Sequence, residues 1–145
     1  MREIKFRGKH KNPYGDKWVC GYYALEDGEH VIVMPHSTSY EEALKEKRPI
    51  PPISVRHTVD YNTIGQYTGL KDKNGKEIYE GDIIKICAEG LGGEAIGKIV
   101  YDEYDLAFEL RNEAEELSEC LWYENQQIEV IGNIYDNLEL LEEKE

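Results

Sequence analysis

No apolar run in this chain approaches the roughly 20 residues that cross a bilayer. The opening Met1-Arg2-Glu3-Ile4-Lys5 lacks the apolar core of a secretion signal, so no membrane association and a cytoplasmic location are expected. Cysteine is scarce: Cys20, Cys87 and Cys120 are far apart, odd in number and form no CxxC pair. That gives no support for a zinc site, and reduced, partly buried thiols are the expectation. Positive charge is also short, with 17 Lys and Arg against 30 Asp and Glu and a net charge of -13. Such a field repels phosphate backbones at long range and argues against general nucleic-acid binding.

What the chain does contain is enough apolar material for a core, 40% of 145 residues, and an unusual 11 tyrosines. The length fits one compact domain or two small lobes sharing a core. Tyrosine with β-branched residues favours strands. Charge is uneven along the sequence. Arg2, Lys5, Arg7, Lys9, His10 and Lys11 make the start basic, whereas acids dominate from Asp102 onward. Arg2, Lys5, Phe6, Arg7 and Lys9 are therefore the candidate binding surface.

Taken in order, Ile4 and Phe6 alternate with Glu3, Lys5 and Arg7 as a strand with one wet face does. Gly8 to Gly15 reads as a loop. Trp18 to Leu25, Asp27-Gly28 and Glu29 to Met34 spell a β-hairpin with a two-residue turn, closed by Pro35. Ser39 with Glu42 suggests a capping box for one short helix through Lys47, stopped by Pro49. The Pro49-Ile50-Pro51-Pro52 run reads as a stiff spacer, in preference to a ligand for a proline-binding domain. Ile53, Val55, His57 and Val59 form the apolar face of a further strand, which makes His57 a hydrogen-bonded core histidine before a base or ligand. The Gly90 to Gly93 loop lacks the Lys-Ser or Lys-Thr and the helix of a phosphate cradle, so it reads as a hairpin loop. Asp102 to Asp105 turns the chain into a strand with Leu106, Phe108 and Leu110 alternating. Asn112 to Glu119 reads as an acidic loop or single helical turn, whose adjacent Glu115 and Glu116 diverge and do not form a metal site.

The chain is organised around Thr63 to Ile86. Lys71 to Lys76 is too polar to bury, and Asn74-Gly75 suits a turn with positive φ. Glu80-Gly81-Asp82 is a second reversal. Ile84 and Ile86 then face one side of a sheet, with Ile83, Lys85 and Cys87 on the other. Gly65 and Gly69 bracket Tyr67 and imply bends or close backbone approach. Gly65, Gln66, Tyr67, Gly69, Asn74, Gly75, Tyr79, Glu80, Gly81 and Asp82 are thus motif residues with a structural role. The runs Ile64 to Leu70 and Asp72 to Ile83, with the start Arg2 to Gly8 and the end Ile128 to Asn137, closely resemble the YopX family of phage and prophage proteins of Gram-positive bacteria. The resemblance implies a mainly β fold with an SH3-like barrel and self-association. It implies no established reaction and no catalytic residue.

The expected architecture is mainly β: an N-terminal β-hairpin lobe over 1–60, an SH3-like small barrel over 61–145 with a soft boundary between them, and at most one short helix. The expected function is a non-enzymatic, self-associating phage or prophage accessory module with no cofactor and no metal. Homo-oligomers and a host or phage protein are the expected partners. Three alternatives stand beside it: nucleic-acid binding through the basic start or the barrel face, an acidic decoy for a host nucleic-acid-binding protein, and an enzyme built on Asp82, Glu80, Tyr79 and His57.

Overall fold

A computed structural model describes residues 1–11, 17–35, 54–88, 93–113, 117–120 and 127–142. The mainly β expectation holds. Strands in two antiparallel sheets dominate, and the described residues contain two short 3-10 turns, Tyr61–Thr63 and Leu138–Leu141, but no α-helix. The helix expected from Ser39 to Lys47 and the Pro49–Pro52 spacer lie outside the described residues, as do Glu115, Glu116 and most of the glycine-rich loop. No helix among the described residues is long and apolar enough to cross a membrane. The chain divides into two compact units, residues 4–64 and residues 1–3 with 65–145.

Within residues 4–64, β1 (Phe6–Lys9), β2 (Trp18–Glu26), β3 (Glu29–Pro35) and β4 (Ser54–Thr58) lie in the order β4-β3-β2-β1. The β2–β3 hairpin closes through Asp27 and Gly28 at φ 51 and 82, the left-handed pair that matches strand twist. Ile32 and Val59 are the buried apolar centre. Two sequence expectations change here. Ile4 precedes the strand and is exposed, and Gly8 belongs to β1 rather than to a loop. The reason is packing: Gly8 pairs with Val19, and a Cβ on it would sit 3.0 Å from the Val59 Cβ, so only a bare backbone admits that valine.

In the other unit, β5 (Gly65–Lys71) and β6 (Glu77–Tyr79) form a hairpin. The sheet proper contains β7 (Asp82–Ala88), β8 (Gly93–Asp102), β9 (Ala107–Asn112), β10 (Leu117–Cys120) and β11 (Gln127–Asn133), ordered β10-β9-β8-β7-β11. Ile78, Ile84, Ile86, Ile99 and Leu110 make the core, flanked by Phe108, Ile128 and Val130. Burying each such side chain is worth about 1.5–3 kcal/mol. Ile83 is buried too, so β7 is covered on both faces at its start.

The sheet is open, and no closed barrel occurs among the described residues. The free side of β11 is occupied by the Asp72 turn, where Lys73 donates its N–H to the Ile128 carbonyl and Val130 donates to the Asp72 carboxylate. The two edge strands therefore do not pair with each other. Leu117–Cys120 is a strand where an acidic loop or helical turn was expected, because its backbone completes a ladder on the edge of β9. Leu106 likewise belongs to the turn before β9 and not to the strand, with φ 52.

Candidate functional site

Arg7, at the centre of the basic start, is buried against an aromatic ring. Arg7 is only 8% exposed and stacks its guanidinium over the Trp18 ring at 4.6 Å; Lys9 approaches the same ring at 5.6 Å. A cation over an aromatic face is favourable and desolvated, which suits packing better than phosphate contact. Phe6 points to the opposite face of β1, 5.8 Å from the Tyr23 ring. Lys5 is half-buried, and Lys11 pairs with Glu29 at 3.3 Å. Arg2 belongs to the other unit, where its side chain lies against Gly69. Arg7 and Lys9 are brought together around Trp18.

The motif residues turn inward or build turns. Tyr67 and Tyr79 are register partners, both buried, with rings 5.4 Å apart. A Cβ on Gly65 would lie 2.5 Å from the Glu80 carbonyl oxygen, and Gly69 holds φ +90 beside a register shift in β5. Glu80 Oε2 accepts the Gln66 N–H at 2.7 Å. Asp82 is 1% exposed and accepts the Tyr79 N–H across the Gly81 reversal. The Tyr79 hydroxyl donates to Glu77 at 2.8 Å. Asn74 and Gly75 close the turn, of which only Gly75 has positive φ. His57 is in the other unit, half-buried and edge-on to His10 at 5.2 Å, not centred in a core. Burial, then the neighbouring His10, lowers its pKa below 6.5.

Three features escaped sequence reasoning. The first is Asp72, in a stretch expected to be too polar to bury. It is 8% exposed, and its carboxylate accepts backbone N–H groups from Asn74, Lys76 and Val130. Val130 lies too far along the sequence for any local pattern to have shown that contact. The second is the β8–β9 hairpin. The Asp102, Asp105 and Glu109 oxygens lie within 4.8 Å of one another, and Arg111 bonds Asp102 at 2.7 Å and Glu109 at 3.0 Å. Asp102 is held below the usual carboxylate range by N–H donation from Asp105, by Arg111 and by the Tyr104 N–H. The cluster is therefore a braced turn with an internal ion pair.

The third is an aromatic patch in residues 4–64. Leu25 pairs with His30, and Tyr23 with Ile32, so these side chains share one face. The Tyr23 hydroxyl and His30 Nδ1 form a 2.8 Å hydrogen bond, and the Tyr61 ring lies 4.5 Å from the His30 ring. Tyr23, Leu25 and Tyr61 are all exposed, Leu25 at 61%. Cys20 is free and exposed, not partly buried as expected; Cys87 is free and half-buried.

Residues 6–142 match the family described as YopX protein. The chain belongs to the YopX family. Protein EF1440 from Enterococcus faecalis, known from a crystal structure, is similar to it at 27% identity over 98% of this chain and 100% of that one, with a TM-score of 0.47. No curated protein matches it. As a YopX protein, the chain carries the Gly65 to Asp82 segment as a hairpin in which Glu80 and Asp82 accept backbone N–H groups of the segment itself, while Asp72 and Lys73 bond the backbone of β11.

Proposed function

We propose that this YopX protein is a phage or prophage accessory protein, a non-enzymatic interaction module that self-associates through the exposed patch around His30. The observation that supports this is the exposed cluster of Tyr23, Leu25 and Tyr61 around His30, in which Tyr23 and Tyr61 are held by ring contacts and Tyr23 also by a hydrogen bond. Large aromatic and aliphatic side chains already held in place lose little entropy on burial, which is how an interface gains affinity. The polar groups of the family motif, by contrast, are spent on turns.

Light scattering or sedimentation velocity at micromolar concentration tests the reading. The wild type sediments as an oligomer, and Leu25→Glu returns it to a monomer that still unfolds cooperatively, because Leu25 is exposed and supports no core. A wild type that stays monomeric, or a Leu25→Glu variant that assembles normally, overturns it.

A further inference from the structure

We propose that the tip of the β8–β9 hairpin is a second interaction surface, which receives a cationic protein segment bearing apolar side chains. Tyr104 is 96% exposed and Leu106 73%, with Tyr101 exposed beside them. Tyr101 extends the core strip outward, and Tyr104 and Leu106 lie in the turn just beyond it. Ile99 pairs with Leu110 and Tyr101 with Phe108, so one hairpin face runs from fully buried to open. The turn that carries them is braced by hydrogen bonds. Asp102 Oδ1 accepts from the Tyr104 and Asp105 N–H groups at 2.8 and 2.9 Å, while Oδ2 holds Arg111. Leu106 occupies φ 52, which glycine would adopt more easily, so the chain keeps a bulky side chain at a position where the backbone does not favour one.

Charge decides the occupant. Residues 102–111 carry Asp102, Glu103, Asp105 and Glu109 against Arg111 alone, and Arg111 is already engaged by Asp102 and Glu109. Glu103 and Asp105 are exposed at the tip. A polyanion or an anionic headgroup is repelled there, while Lys or Arg side chains are attracted and find an aromatic face in Tyr104. Leu106 supplies the apolar contact that turns attraction into a defined complex. The tip lies in a different unit from the His30 patch.

The test uses the full, isotope-labelled chain and a short synthetic peptide alternating lysine and leucine, with a glutamine-for-lysine peptide as its neutral counterpart. The cationic peptide is expected to shift the backbone amides of residues 101–111 and to bind more weakly as salt rises. Tyr104→Ser with Leu106→Ser should weaken it at least about tenfold without changing net charge. Glu103→Gln with Asp105→Asn should do the same, and the neutral peptide should bind at least about tenfold more weakly than the cationic one. Leu106→Gly separates folding from binding: it should melt higher than the wild type and still lose the peptide. Shifts spread over all acidic surfaces, apolar variants that bind like the wild type, or equal binding of the two peptides overturn the proposal. So does capture of neutral lipid vesicles through Tyr104, which would assign the tip to a membrane. Loss of oligomers in the tip variants overturns it as well, since the tip would then be the self-contact. Failure of the wild type to oligomerise sinks only the preceding reading.

Discussion

Replacing Asp72 with alanine tests how this fold is held together. Its Oδ1 accepts the Asn74 and Lys76 N–H groups at 2.8 and 2.9 Å, and its Oδ2 accepts the Val130 N–H at 3.1 Å. Asn74 and Lys76 are exposed, so water replaces the lost acceptor there, and each bond is worth about 0.5–1 kcal/mol net. Val130 is half-buried and packs on the core, so losing a charged acceptor costs about 1.5–3 kcal/mol. The expected total is about 2.5–5 kcal/mol, or a drop in melting temperature of roughly 5–20 °C for a chain of this size. Hydrogen exchange at the Val130 amide gives the local readout and should accelerate in the variant. A loss under about 1 kcal/mol, or unchanged protection at Val130, refutes the reasoning.

The same residue sets a pH dependence. Burial alone would raise the Asp72 carboxyl, but N–H donation from Val130, Lys76 and Asn74, with the Lys76 charge, brings it below the ordinary 3.8. A carboxyl depressed in the folded state stabilises fully above its unfolded value, and that contribution disappears as pH falls through the folded value. The stability gap between wild type and Asp72→Ala should therefore be widest near neutrality and close on acidification below about pH 4. A gap that is constant down to strong acid would show that the carboxylate charge is not what the three N–H groups use.

Gly65→Ala should destabilise by more than about 2 kcal/mol, because the new methyl lies 2.5 Å from a backbone oxygen of Glu80 that cannot swing away; an unchanged thermal melt would refute the contact. Gly28→Ala, with φ +82 but open space around it, should lose only about 1 kcal/mol from backbone strain. Leu106→Gly should gain about 1 kcal/mol by relieving φ 52, read as a melting temperature higher by roughly 2–4 °C, and a lower one would place Leu106 in a packing role.

These predictions cluster where sequence patterns stop. The β2–β3 hairpin was legible because everything that defines it is local: two strand-forming runs, the first apolar on both faces, and between them an Asp-Gly that accepts positive φ. The reversal at Gly81 and the bend at Gly69 were legible for the same reason. Arg7 was not. Lys5, Arg7 and Lys9 alternate like a wet face, yet Trp18 on the neighbouring strand covers Arg7, and nothing within β1 announces a cover supplied by another strand. Gly8 lies in a strand although its sequence context resembles a loop, because a glycine that admits Val59 looks, in sequence, like one that frees a turn.

Asp72 and Leu106 fail in opposite directions and by one cause. A hydrophobicity pattern assigns charge to water and leucine to the core, because it sums transfer preferences residue by residue. Asp72 is buried since three backbone donors, one from a distant strand, satisfy it better in place than water would away from them. Leu106 is exposed since the Asp102 side chain fixes the turn, and the residue that follows must enter the left-handed region and face solvent. In both cases backbone hydrogen bonding overrides side-chain preference. The Asp72 inversion locks β11 to the turn at the sheet edge, so it belongs to the fold. Leu106 locks nothing, and the exposure it leaves behind is what a partner can use.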